Sequence, residues 1–249
     1  MNPYLKHLNK IEFVVTNACT GRCKHCSQGE HTSSGKSIDP VIAETVVRRI
    51  AEKYAIQTVM TFGGEPLLFP ETVCKIHSAA RNMGVPKRQV ITNGFFSSDP
   101  KRICDVADQL AKCGVNDLLL SADAFHQETI SLELIMYFAE QLKMRGISPK
   151  IQPAWLVSPK DENPYNRTTR EILRKFHDMG YQENDGNVIF PQGNALNYLK
   201  EYFQSESPKN PYEEDPQNIR CISIDAEGNA LDGNVYQKPI LEIIENYKP

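Results

Sequence analysis

Short β-branched runs recur along this chain, and each is followed by a stretch whose apolar residues fall at helical spacing. The runs occupy residues 11–16, 58–62, 89–92, 117–121, 150–157 and 187–190. From the second run onward the interval is about 30 residues, the length in which one strand and one helix lead to the next parallel strand. Val46, Val47, Ile50 and Ala51 make one such helical face, and Ile103, Val106, Ala107 and Leu110 another. Asp39-Pro40 and Asp99-Pro100 each set a capping carboxylate before a proline suited to the first helical position, while Gly84, Gly114, Gly146 and Gly180 sit where helices should stop. The pattern predicts an α/β fold built on a parallel sheet. Six units are too few for a closed eightfold barrel, so the expected architecture is a partial (β/α)6 TIM-like barrel with strands inside and helices outside.

Beyond residue 200 the rhythm breaks. Residues 200–216 are rich in Pro, Asn, Glu and Ser, residues 221–231 read as short strands, and residues 240–247 as a terminal helix. The expected division is a core domain over residues 1–200 and a small C-terminal extension over residues 201–249. At 249 residues the chain can bury a sizeable core. Its 28 basic and 31 acidic residues nearly balance, which gives no reason to expect nucleic acid or an anionic membrane surface as a partner. No stretch approaches the roughly 20 apolar residues of a membrane span, so a cytoplasmic protein is expected. Seven cysteines, one tight trio and four scattered singles, do not form a secreted disulfide framework; reduced thiols and metal ligation fit better.

The trio is Cys19, Cys23 and Cys26, in a loop directly after the first strand, at the end where barrel enzymes keep their chemistry. Gly21 lets the backbone turn tightly between ligands. Thiolates select iron-sulfur or zinc centres. A structural zinc would need a fourth ligand, for which His25 or His31 is available, whereas a cubane on three thiolates keeps one iron open. At the tip of the second strand stands Thr61-Phe62-Gly63-Gly64-Glu65-Pro66. A three-cysteine loop followed by Gly-Gly-Glu-Pro resembles the radical S-adenosylmethionine (radical SAM) superfamily, and the resemblance runs from about residue 9 to about residue 200.

The resemblance implies an enzyme with one [4Fe-4S] cluster on Cys19, Cys23 and Cys26, and S-adenosylmethionine on the open iron. Reductive cleavage would yield a 5'-deoxyadenosyl radical that takes a hydrogen atom from substrate. It further implies that Gly63, Gly64, Glu65 and Pro66 cradle the methionine end, that Ser121 and Asp123 meet its ribose or carboxylate, and that Gly193 and Asn194 lie near the adenosine. Asn93, in a Thr-Asn-Gly strand tip, joins the cofactor-binding set; its other reading is a turn. Glu65 and Asp123 have a plainer reading as helix caps. His126 reads as an exposed residue or a substrate contact, Trp155 as a core aromatic or a substrate platform, and Cys74, Cys104 and Cys113 as structural thiols.

The segment from Arg220 onward is similar to the start of the SPASM or twitch extensions of peptide-modifying relatives, but Cys221 is its single cysteine, so a cluster-free extension is expected, docked through Ile240, Ile243 and Ile244 over the open side of the barrel. That likeness favours a peptide or protein side chain as substrate, and a flavodoxin or ferredoxin as reductant. Only about ten residues precede the first strand, so a leader peptide would have to dock elsewhere. The alternatives are radical tailoring of a small metabolite, activation of a glycyl-radical enzyme and, from a different class, a non-enzymatic iron-sulfur or zinc binding module.

Overall fold

The computed structural model describes residues 2–203 and 209–249. Strands β1 (Lys10–Val14), β2 (Thr58–Phe62), β3 (Lys87–Thr92), β4 (Asp117–Ser121) and β5 (Lys150–Gln152) follow one another through parallel pairing. Between them run α1 (Pro40–Lys53), α2 (Pro70–Asn82), α3 (Pro100–Cys113), the single turn α4 (Ala124–Gln127) and α5 (Leu132–Met144). The caps behave as their chemistry requires: Asp39 accepts the amides of Val41 and Ile42, Asp99 accepts that of Lys101, and Gly114 ends α3 in the left-handed region at φ 87°. Ile11, Phe13, Val59, Val90, Leu118 and Leu120 point outward from the sheet into one apolar core with the inner faces of α1, α2, α3 and α5. Ala51, expected on the inner face of α1, is only half-buried.

The expected fifth strand, residues 150–157, is cut in two. Pro153 has no amide to give to a ladder, and the chain changes partners around it. β5 pairs with β4 and with β7 (Gln182–Glu183), while β6 (Ala154–Trp155) pairs with β8 (Asn187–Val188). α6 (Pro164–Asp178) makes the crossover. The expected last strand, residues 187–190, is accordingly reduced to the two residues of β8; β7 precedes it in the main sheet, and between them at Gly186 a Cβ would lie 2.5 Å from the Pro153 carbonyl oxygen. α7 (Asn194–Tyr198) follows.

The C-terminal segment enters the same sheet. β9 (Cys221–Ile224) lies parallel to β1 on its outer side, giving the order β7-β5-β4-β3-β2-β1-β9. The sheet is a partial barrel whose edges, β7 and β9, do not meet. A small hairpin of β10 (Asn229–Ala230) and β11 (Gly233–Asn234) leads to α8 (Ile240–Asn246). The stripe Ile240, Ile243 and Ile244 is buried, but in the outer helical layer against α1 and not over the open side of the barrel; Lys53 and Glu245 form an ion pair across that contact at 2.6 Å. The open side is instead bridged by the chain around Tyr212. Its hydroxyl donates to Asn187 Oδ1 at 2.6 Å, its ring meets Phe190 edge-on, Asn210 reaches Gln192, and Glu214 accepts the amide of Arg220 just before β9.

Candidate active site

The site is assembled where the strands end. After β1 the chain stays in register for one more residue, Val15 N–H donating to Phe62 O, then swings out and returns at Ser37, which bridges to Thr16. Cys19, Cys23 and Cys26 lie on this excursion. Cys19 N–H is held by Thr32 O at 2.8 Å, and Arg22 bends back so that its guanidinium donates to the carbonyls of Cys19 and Gly21 at 2.8 Å each. Cys19 and Cys23 are buried and Cys26 is half-buried. Burial pushes the Cys19 thiol up to about 11 and that of Cys23 well above its ordinary value. A thiolate at either position is therefore costly without a cation beside it, and a metal centre supplies that cation.

Other strand tips lock the loop. Gly64 N–H donates to Thr16 O and Glu65 N–H to Ala18 O, both at 2.8 Å. The space freed by the missing Cβ atoms is occupied by the cysteine loop itself: a Cβ on Gly64 would sit 2.1 Å from Ala18 O, and one on Gly63 2.6 Å from Thr16 O. Glu65 is wholly buried and caps the short 3-10 turn Pro66–Leu68. Its carboxylate accepts the Leu67 amide at 2.9 Å, the Thr92 hydroxyl at 2.7 Å and the Asn93 amide at 2.8 Å, joining the tips of β2 and β3. Burial pushes its pKa up to about 7 against those three donors. Asn93 turns its side-chain amide toward Cys19.

On the far side, Gly193 adopts φ 57° and lies so close to the Cys23–Cys26 turn that a Cβ would meet the carbonyl oxygens of Cys26 and Ser27 at 2.5 Å. Asn194 donates its backbone N–H to Cys26 O at 2.9 Å and its side-chain Nδ2 to Cys23 O at 3.2 Å. Ser121 ends β4 in register with Gln152. Asp123 is wholly buried; it caps α4 through the amides of Phe125 and His126, accepts Ala154 N–H at 2.9 Å, and lies 2.8 Å from His126 Nδ1. Burial works against its charge, but the His126 ring and these donors outweigh it and hold the carboxyl down to about 2. His126 in turn packs edge-on against His25. Trp155 is a core aromatic, its indole N–H donating to Asp185 O. Cys74, Cys104 and Cys113 lie on α2 and α3 and take no part in this loop.

Several contributors were invisible in the sequence. Gln127 gives its Oε1 to the Asp123 amide, Thr169 holds the Ala124 amide, and the wholly buried Asn166 pins the 156–161 turn with three carbonyl contacts. None has a recognisable motif: Gln127 and Asn166 act over four to ten residues of chain, and Thr169 reaches across 45. For a metal there are two arrangements. The three cysteines share one loop, and the ligand atoms of Cys23, His25 and His126 lie within 4.8 Å of one another. His31 Nε2 lies 3.2 Å from Cys26 Sγ. Among the described residues, three buried side-chain atoms at the site have no partner: His25 Nδ1, Gln127 Nε2 and Asn194 Oδ1. Soft sulfur donors crowded into one loop, with unsatisfied polar atoms around them, fit an iron-sulfur cluster and a polar co-ligand.

The family model of the Radical SAM superfamily matches residues 13–151. Among curated proteins, a probable GTP 3',8-cyclase of Saccharolobus solfataricus is 24% identical over 218 residues, covering 81% of this chain and 67% of that protein. Molybdenum cofactor biosynthesis protein 1 of Dictyostelium discoideum is 22% identical over 196 residues, which span 74% of this chain and only 30% of that protein. Among solved structures, anSMEcpe with bound AdoMet superposes with a TM-score of 0.62 at 14% identity over 96% of this chain and 80% of that one. SuiB of Streptococcus suis bound to S-adenosylmethionine gives 0.59 at 13% identity, over 96% and 65%. With its match covering more than half of the sequence, the chain belongs to the radical SAM superfamily, whose enzymes use a [4Fe-4S] cluster and S-adenosylmethionine.

Proposed function

We propose that Cys19, Cys23 and Cys26 hold one [4Fe-4S] cluster by three of its irons, leave the fourth for S-adenosylmethionine, and serve hydrogen-atom abstraction from a peptide or protein side chain. The observation that carries the reading is the cysteine loop itself: three thiols in one excursion, braced by the Gly64-Glu65 tip on one side and by Gly193-Asn194 on the other. When bound and reduced, the cluster and its co-ligand supply a 5'-deoxyadenosyl radical. The chain's own residues position and shield. Arg22 and Asn194 fix the carbonyls that set the spacing of the three sulfurs. Glu65 and Asp123, each engaged by several donors, act by holding the tips of β2, β3 and β4 in place. Gly63, Pro66, Asn93, Ser121 and Gly193 border the same end of the barrel, and the unpartnered atoms of His25, Gln127 and Asn194 are available to a polar ligand.

Residues 1–200 make the core in this reading and residues 201–249 a cluster-free extension. Cys221 lies on β9, paired with Lys10, where burial pushes its thiol well up. Support for a peptide substrate comes from anSMEcpe, solved with AdoMet and the Cp18Cys peptide and similar in fold at a TM-score of 0.61. A second reading, tailoring of a small metabolite, draws on the curated GTP 3',8-cyclases and on BtrN, solved with AdoMet and 2-DOIA at a TM-score of 0.52. A flavodoxin or ferredoxin is the proposed reductant. Among the described residues no helix is long and apolar enough to cross a membrane and every cysteine is a free thiol, which supports a cytoplasmic setting.

Anaerobic reconstitution tests the assignment. About four irons per chain are expected, with a spectroscopic signal perturbed by S-adenosylmethionine. Cys19→Ala, Cys23→Ala and Cys26→Ala should each lose both the cluster and 5'-deoxyadenosine release. Candidate peptides and metabolites carrying deuterium then identify the substrate class by label transfer into 5'-deoxyadenosine. A colourless protein that tightly holds zinc would overturn the scheme, and about eight irons would overturn the cluster-free extension.

A further inference from the structure

The three cysteine sulfurs are not equivalent: Cys26 Sγ lies 3.2 Å from His31 Nε2 within its own loop, whereas Cys19 Sγ meets a nitrogen from the tip of β3. Asn93 has its backbone N–H and both side-chain polar atoms engaged, which fixes its orientation. Its backbone N–H donates to Glu65 Oε2 at 2.8 Å, and its Oδ1 accepts the Phe95 amide at 2.8 Å. With the carbonyl end of the side chain held by that turn, the amide end can only face the cysteine loop. Nδ2 lies 3.5 Å from Cys19 Sγ and 3.3 Å from Thr20 Oγ1. Cys19 Sγ receives a second donor from the same loop, Gly21 N–H at 3.4 Å. Asn93 is itself 6% exposed, so water does not compete for its amide.

Resting on the cluster assignment above, the geometry points to Asn93 as a positioning residue for the cluster: its carboxamide donates an N–H···S hydrogen bond to Cys19, which orients this ligand and raises the reduction potential of the centre. The physical reason is charge. Reduction adds an electron that is shared with the sulfur ligands, and a donor aimed at one of them stabilises the more negative state. The donor is a carboxamide, so its contribution does not depend on protonation. Glu65 completes the device at one remove, because it holds the Asn93 backbone and so carries the position of the β2 tip into the sulfur environment.

The test is a reductive titration of the reconstituted protein, followed by electron paramagnetic resonance, for wild type, Asn93→Ala, Asn93→Asp and Thr20→Val. Asn93→Asp keeps an oxygen for the Phe95 amide but removes the donor. Thr20→Val removes only the competing acceptor. Both Asn93 variants are expected to lower the one-electron reduction equilibrium constant by about tenfold, about 59 mV, with Thr20→Val unchanged. Thermal melting of the metal-free chains verifies folding, and a variant that melts like wild type yet no longer retains iron supports the ligand-orienting half of the inference. A potential equal to wild type in Asn93→Ala overturns it, as does a shift in Thr20→Val as large as that of Asn93→Ala, which would mark a general loosening of the loop. Should Asn93→Ala fail to fold, Asn93→Leu, uncharged and of similar volume, decides in its place, because Asn93→Asp also adds a charge beside the sulfur. A wild-type protein that takes up no cluster refutes the proposed function instead, so the two failures are distinct.

Discussion

Gly64 has no room for a side chain. The nearest atoms to a Cβ there are the Ala18 carbonyl oxygen at 2.1 Å and its carbon at 2.6 Å, both backbone, so relief requires the β2 tip and the cysteine loop to part. Gly64→Ala should cost about 2 kcal/mol or more in denaturant unfolding and reduce iron retention in the same preparation. Asp123 makes a different kind of prediction. Its carboxyl is held at about 2 in the folded chain against an ordinary value of 3.8, so the folded state binds its proton less readily than the unfolded one. The stabilisation is complete above the ordinary value and is lost as pH falls toward the folded one, on the order of 2 kcal/mol in all. Asp123→Asn should flatten the acid limb of the stability profile between about pH 4 and pH 2, measured on the metal-free protein; an unchanged limb would remove Asp123 from the account. At this scale the sequence was informative wherever chemistry is local. The cysteine spacing and the Gly-Gly-Glu-Pro run could be read directly. That Glu65 reaches across to Asn93, or that Asn194 holds the Cys23 carbonyl, could not, because those partners are 28 and 171 residues apart.

Among the elements, strands and helices with strong periodicity and explicit caps emerged at their expected places, as α1 and α3 illustrate. The misreadings have physical causes. Residues 150–157 form an apolar run that reads as one strand, but Pro153 cannot donate to a ladder, and the halves take different partners. Membership of β9 in the main sheet had no local signal, since a short alternating strand reads alike whether it belongs to an appendage or to the core. The stripe on α8 was legible, its docking face was not. Ile222, wholly buried on β9, faces the same core as Ile11 and Phe13. Ile222→Ala should therefore destabilise the whole protein by about 2–4 kcal/mol in a single cooperative transition. A separate early transition with the core unaffected would show that the extension is an independent unit.

At the level of the molecule, the sheet stops short of closure, and the chain around Tyr212 spans the gap by holding Asn187 on β8 and Phe190 just beyond it. A radical formed inside such a barrel survives only where water and stray hydrogen donors are kept out. Tyr212→Ala should leave iron content unchanged while 5'-deoxyadenosine accumulates in excess over product, measured as the ratio of the two under turnover. An unaltered ratio would assign the bridge a purely mechanical part. The placement of β1 between β2 and β9 has a consequence for biogenesis. As the polypeptide leaves the ribosome, the strand ahead of the cysteines keeps a raw edge until its second neighbour is made about two hundred residues later, a slow, long-range closure. The strand from which the cysteine excursion springs is therefore flanked on both sides only once β9 has been made.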